Sequence, residues 1–237
     1  MSIKNKLHVF IVISVFFICG VAVGHYKILP FDFLQPVKSK ETLSIKEPFS
    51  SSERFKTHEI LFSQLIDNYD VVFLGDSITN SGRWSELFPD HTVANRGIPG
   101  DTSEGISKRL DNIIRLNPKT VFLMFGINDI SRGEEVDSIF ENYQKIVSTL
   151  EKNKINVVIQ STLLSDRDNW NIKVNALNEK LLSLAMKSNI PYVDINKSIS
   201  PTGELTKEVS HDGIHLRPAS YLKWRDAIKK TQGLEDF

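Results

Sequence analysis

Beyond residue 70 the chain alternates between short, nearly uniform apolar runs and longer segments in which apolar residues return every three or four positions. The apolar runs fall at residues 71–74, 92–94, 120–125, 156–160 and 191–194, and their length and bounding turn residues predict β-strands. Between and after them, residues 103–116, 134–153, 170–188 and 218–231 carry the helical period. Another helical pattern, over 53–68, places Phe55, Ile60, Leu61, Leu65 and Ile66 ahead of the first strand. Strands apolar on both faces and separated by helices predict an α/β fold with a central parallel sheet, covered by helices on both sides.

The N-terminal part follows another pattern. After Lys4 and Lys6, residues 7–24 form a mostly apolar run interrupted only by His8 and Ser14. As a helix it would span roughly 27 Å, close to the ~30 Å hydrocarbon core of a bilayer. The basic flank favours keeping the N-terminus in the cytoplasm and the remainder outside it. The expectation is a retained signal anchor, which places the globular domain outside the cytoplasm on a single N-terminal helix. The alternatives are a signal peptide cleaved after Ala22-Val23-Gly24, which would leave the domain secreted or periplasmic, and a helix buried in a soluble core. Cys19, the one cysteine, follows bulky Ile18 and makes a poor lipidation site. From 25 to 52 the periodicity dissolves among Pro30, Pro36 and Pro48, which reads as a tether; Phe31, Phe33 and Phe49 could pack on the domain or lie at a lipid interface. The expected organisation is therefore 1–24 anchor or signal peptide, 25–52 tether and 53–237 globular domain.

Composition narrows the partners. The 29 Lys and Arg residues balance the 29 Asp and Glu residues, so no basic excess points to nucleic acid. A single cysteine excludes an internal disulfide, and nothing in the chain specifies an oligomeric state.

Candidate chemistry sits where the predicted strands end. Gly75-Asp76-Ser77-Ile78 closes the first strand and delivers a hydroxyl to the sheet edge where α/β proteins bind ligands; the other use of Ser77 is as a helix N-cap. After the second strand, Asn95-Arg96-Gly97-Ile98-Pro99-Gly100-Asp101-Thr102-Ser103 forms a glycine-rich turn into a helix, where Gly100 would let a substrate approach the backbone. Asn128, in Gly126-Ile127-Asn128-Asp129 after the third strand, could aim its amide at a developing oxyanion. Asp212 and His215 are three residues apart, close enough for the carboxylate to accept from Nδ1 and leave Nε2 to take a serine proton. A metal reading of His211 with His215 would need a helix, against which Gly213 and Pro218 argue; no metal or cofactor is called for, and His211 reads as a solvated neighbour.

Taken together, these four blocks resemble the GDSL/SGNH hydrolase superfamily from about residue 70 to 218. The wording of residues 95–102 is similar to the branch holding platelet-activating-factor acetylhydrolase-like and lysophospholipase-like esterases. The resemblance implies a three-layer α/β/α flavodoxin-like fold, with Ser77 as nucleophile, His215 as base and Asp212 orienting it. It also implies an oxyanion hole from the Ser77 N–H, the Gly100 N–H and the Asn128 side chain. The G-x-S-x-G elbow of classical α/β-hydrolases is absent. The expected activity is hydrolysis of a small acyl ester, on a lipid or an acetylated glycan, through an acyl-enzyme. The alternatives are an O-acyltransferase acting on envelope glycans and a membrane-tethered binding module without activity. The segments 82–88 and 161–170 are expected to shape the acyl pocket, and Trp84 and Trp170 could either line an aromatic rim for lipid or sugar or pack at helix entrances.

Overall fold

A computed structural model of the chain describes residues 47–234 continuously, together with Asn5, His8 and residues 10–17. The chain divides into one unit before Glu47 and another from Glu47 onward. In the first, residues 10–17 are helical. Half of the apolar run 7–24 falls outside the described residues, and among the described residues no helix is long and apolar enough to cross a membrane.

The second unit opens with a 3₁₀ turn, Phe49–Ser51, and a helix, α1 (Glu53–Gln64), capped by the Ser52 hydroxyl accepting from Phe55 N–H. Five strands follow: β1 (Val71–Gly75), β2 (Val93–Gly97), β3 (Thr120–Met124), β4 (Asn156–Gln160) and β5 (Tyr192–Val193). All pair in parallel, in the order β2-β1-β3-β4-β5. This confirms the α/β class and the central parallel sheet. Between β1 and β2 lie two one-turn helices, α2 (Ser77–Asn80) and α3 (Trp84–Leu87). The 103–116 segment is two helices, α4 (Ser103–Lys108) and α5 (Leu110–Ile114), rather than the single one its period predicts. After β3 come α6 (Ile127–Arg132) and α7 (Val136–Lys152). The remaining helices are α8 (Asp168–Ser188), α9 (Asn196–Ile199) and α10 (Ser220–Lys229).

The main core forms along β1 and β3, whose residues are all buried, and the helices covering them contribute Ile106, Tyr143, Leu177 and Trp224. Trp84 belongs to it: its ring stacks on Phe73 at 3.9 Å between centroids and its Nε1–H donates to the Thr79 carbonyl at 2.8 Å. It is therefore core and not an aromatic rim, because a one-turn helix turns residue 84 inward over β1. A second cluster, Phe49, Phe55, Phe62 and Ile98, lies apart from the main one and fixes the start of the unit. Phe49 thus packs on the domain, so the packed chain begins some residues ahead of the expected boundary at 53.

Register decides what the sheet presents. Gly75 pairs with Gly97 on one side and Met124 on the other, so β1, β2 and β3 end level with one another. Strand order reverses at β1, and in such sheets ligands bind outside the carboxyl ends at that reversal. Ser77, Gly100 and Asn128 leave the sheet within a few residues of these three strand ends. A side chain at Gly97 would strike the Asn80 backbone and the Asp76 carbonyl, so glycine here is what lets the first turn after β1 lie against β2.

Candidate active site

The strand-end turn after β1 orients Ser77. Asp76, not Ser77, is the N-cap of α2: its Oδ1 accepts from Ile78 N–H at 2.9 Å, which leaves the Ser77 hydroxyl uncommitted at the first helical position. The capping use of Ser77 is thereby excluded. Asp76 is fully buried, and among the described residues its Oδ2 has no hydrogen-bond partner. Burial pushes its carboxyl up to about 7, with the nearby Asp101 and Asp129 charges adding to the rise.

The partner of that hydroxyl arrives from far along the chain. Ser77 Oγ lies 2.9 Å from His215 Nε2, and His215 Nδ1 lies 2.7 Å from Asp212 Oδ2. An ionised carboxylate only accepts, so Nδ1 carries the ring proton and Nε2 faces the hydroxyl as acceptor. Partial burial pushes the Asp212 carboxyl up, but hydrogen bonds from the His215 ring and backbone and from Ile214 N–H outweigh this and hold it well below the usual carboxylate range. The loop carrying both residues is cross-braced. Ser210 Oγ donates to the His215 carbonyl at 2.7 Å and accepts from Gly213 N–H at 2.9 Å, while Asp212 Oδ1 accepts from Ile214 N–H and His215 N–H.

The two other strand ends supply donors. Gly100 adopts φ +90°, a conformation that a side chain would strain, and Phe49 packs against it. Among the described residues neither Ser77 N–H nor Gly100 N–H donates to a protein acceptor. Asn128 Nδ2 donates one proton to the Asp101 carbonyl at 2.9 Å, which fixes the amide and leaves its second proton available. Ser77, Asp212 and His215 are thus joined by direct contacts, and Asn128 is linked to the Gly100 turn through Asp101.

Buried ionic groups that the sequence pattern does not single out hold the turns together. Arg109, 1% exposed, donates through Nε to Asp101 Oδ2 at 2.8 Å and through one terminal nitrogen to the Gly75 and Arg96 carbonyls at 3.1 and 2.8 Å. It ties the Gly100 turn to the ends of β1 and β2, and α4 breaks from α5 where it turns inward. Asp129 accepts from Ser103 N–H at 3.0 Å and from Ser103 Oγ at 2.6 Å, locking α6 to the start of α4. Burial pushes its carboxyl up to about 6 in spite of those bonds. Asn95 Nδ2 donates to the carbonyls of Thr79, Asn80 and Gly82, so the segment behind α2 hangs on β2. Asn95, Asp101, Ser103 and Asp129 stand in turn blocks that the sequence reading names and Arg109 in the helical pattern over 103–116, but no spacing rule marks their partners.

No helix spans 211–215, yet the loop brings donor atoms of His211, Asp212 and His215 within 4.8 Å of one another. His211 is exposed beside this pair, a solvated neighbour as the sequence reads, with its ring 6.1 Å from that of His215. Trp170 is half-buried, with the Arg167 guanidinium 4.0 Å above its ring.

Comparison with known proteins agrees with this architecture. The model of the GDSL-like Lipase/Acylhydrolase family matches residues 73–223. An N-acylneuraminate cytidylyltransferase of Streptococcus agalactiae is 32% identical over 148 residues, covering 61% of this chain and 34% of that protein. This chain therefore spans about a third of the length of those streptococcal relatives. The platelet-activating factor acetylhydrolase IB subunit alpha2 of Rattus norvegicus is 28% identical over 166 residues, covering 65% of this chain and 72% of the relative. Among solved structures, a GDSL-like lipase from Bacteroides thetaiotaomicron superposes with a TM-score of 0.66 at 24% identity, over 77% of this chain and 97% of that one.

Proposed function

This chain belongs to the GDSL-like lipase/acylhydrolase family, and from that premise we propose that it is an esterase that cleaves small acyl esters through an acyl-enzyme on Ser77. The observation that carries the reading is the unbroken contact series from Ser77 Oγ to His215 Nε2 at 2.9 Å and from His215 Nδ1 to Asp212 Oδ2 at 2.7 Å.

In this reading Ser77 Oγ attacks the ester carbonyl as His215 Nε2 takes its proton. The imidazolium that forms is stabilised by Asp212, whose low proton affinity keeps it an acceptor throughout. His215 then returns the proton to the leaving alcohol, and a second cycle with water releases the acid. Ser77 N–H, Gly100 N–H and the second amide proton of Asn128 are the donors proposed for the tetrahedral oxyanion. Their support is that the two backbone groups have no protein acceptor among the described residues and that Asn128 is held by Asp101. These groups suffice for the chemistry, so no cofactor is invoked.

The proposed substrates are acetyl or other short acyl esters on a lipid or a glycan. Anchoring of the domain outside the cytoplasm through residues 7–24 is part of the proposal, supported by the apolar run and its basic flank. A chain-length series of p-nitrophenyl esters run beside an acetylated glycan tests the reading. Wild-type protein is expected to hydrolyse the acetyl ester, and Ser77→Ala to retain only the slow rate that binding and oxyanion donors alone provide. Wild-type rates in Ser77→Ala would refute the nucleophile.

A further inference from the structure

The loop that carries the base also carries a third donor that the reaction does not use. Asp212 Oδ1 is held by the backbone N–H groups of Ile214 and His215 at 3.0 and 2.7 Å. Oδ2 is therefore turned toward two rings at once, 2.7 Å from His215 Nδ1 and 3.8 Å from His211 Nε2. Ligands bound at about 2.0–2.2 Å around a tetrahedral Zn²⁺ stand roughly 3.3 Å apart, and the two observed separations bracket that value. The three side chains are 56%, 42% and 36% exposed for His211, Asp212 and His215, so an ion can enter without unfolding the loop. The adjoining cavity of about 620 Å³ is lined by Asp166, Glu204 and Glu208 as well as Asp212, against a single lysine, Lys207. Arg167 lies 3.8 Å from Asp166, and the Arg217 guanidinium is held by the Lys207 and Ser210 carbonyls, so the acidic groups still outnumber the cations around the opening. Such a field concentrates divalent cations.

We propose that His211, Asp212 and His215 form an inhibitory site for Zn²⁺ or a similar borderline transition-metal ion. Two imidazoles and one carboxylate suit zinc, whereas Mg²⁺ and Ca²⁺ require mostly oxygen ligands. The consequence for catalysis follows from the tautomer. Zn²⁺ takes the Nδ1 lone pair of His215, and the ring proton then resides on Nε2, with no net proton gained or lost. A ring protonated at Nε2 donates to Ser77 Oγ and cannot accept its proton, so attack stops while the fold is untouched. The ion site itself rests only on the loop geometry; the inhibition rests also on His215 being the base.

The test uses the full chain, with zinc binding measured by competition with a chromophoric chelator and hydrolysis of p-nitrophenyl acetate measured at the same free zinc. The wild type is expected to bind one ion per chain and to lose activity in parallel, with recovery on adding EDTA and no effect of Mg²⁺. His211→Ala and His211→Gln are expected to keep full activity without zinc and to weaken both binding and inhibition by about 10- to 100-fold or more. Binding and inhibition unchanged in both variants would overturn the site. Binding lost with His211 but never accompanied by inhibition would leave the ion site standing and count against His215 as base, which separates the failure of this inference from that of the proposed mechanism.

Discussion

At the scale of single residues, the donors and buried acids make separable predictions. Asn128 contributes a side-chain amide whose orientation is set by the Asp101 carbonyl, so truncating it removes a donor without opening the core. Asn128→Ala is expected to lower kcat by about 10²- to 10³-fold with little change in KM, as measured by initial rates on p-nitrophenyl acetate. A change confined to KM would count against the oxyanion role. Asp76 acts on stability instead. Its folded-state carboxyl sits at about 7, above the ordinary 3.8, so the protonated form favours folding. That contribution is fully present below about pH 4 and is lost as pH rises through 7, a swing of up to about 4 kcal/mol. Asp76→Asn keeps the cap acceptor for Ile78 and removes the charge. Thermal unfolding between pH 5 and pH 8 is expected to show a smaller loss of stability in this variant than in the wild type, and superimposable profiles would contradict the assignment.

Among the secondary-structure elements, the strands are the most legible part of the sequence. Residues 71–74 and 156–160 read correctly because strands buried on both faces carry consecutive apolar residues, here Val71 to Leu74 and Val157 to Ile159. β2 runs further than its apolar residues suggest, through Asn95 and Arg96, because Asn95 is occupied by the carbonyls behind α2 and the Arg96 guanidinium lies over the Phe62 and Tyr69 rings. Helices of four to six residues such as α2, α3, α6 and α9 are too short to show a period, so their residues read as loop. The break at Arg109 is equally hidden, since an arginine in an amphipathic segment reads as an exposed position. In the fold it is buried and paired, and removing one partner of such a pair typically costs about 3–5 kcal/mol. Arg109→Met is therefore expected to lower stability by that amount in urea unfolding and to reduce kcat through the Gly100 turn. A variant as stable as the wild type would show that Arg109 does not hold the strand ends together.

For the molecule as a whole, the four blocks of the candidate site and their meeting at one sheet edge were legible in the sequence, whereas the buried partners that hold the turns in place leave no pattern in it. Ser77 and His215 are 138 positions apart, and the turn at the end of β1 and the braced loop ahead of α10 bring them within 2.9 Å. The same limit applies to the start of the domain, where a lone Phe49 among prolines gives no period. It packs against Gly100 and stands edge-on to Phe55, so the chain from Glu47 is expected to fold alone, while one starting at Glu53 should be destabilised by about 3–5 kcal/mol. Equal unfolding midpoints for the two truncations would contradict that boundary. The central claim is that one serine at the end of β1 is activated by a histidine near the end of the chain. Its most direct measurement is reaction with a fluorophosphonate probe followed by peptide mass spectrometry. The account predicts a single adduct on Ser77, formed far more slowly in His215→Ala and absent in Ser77→Ala; an adduct on another residue, or labelling of His215→Ala at the wild-type rate, would contradict it.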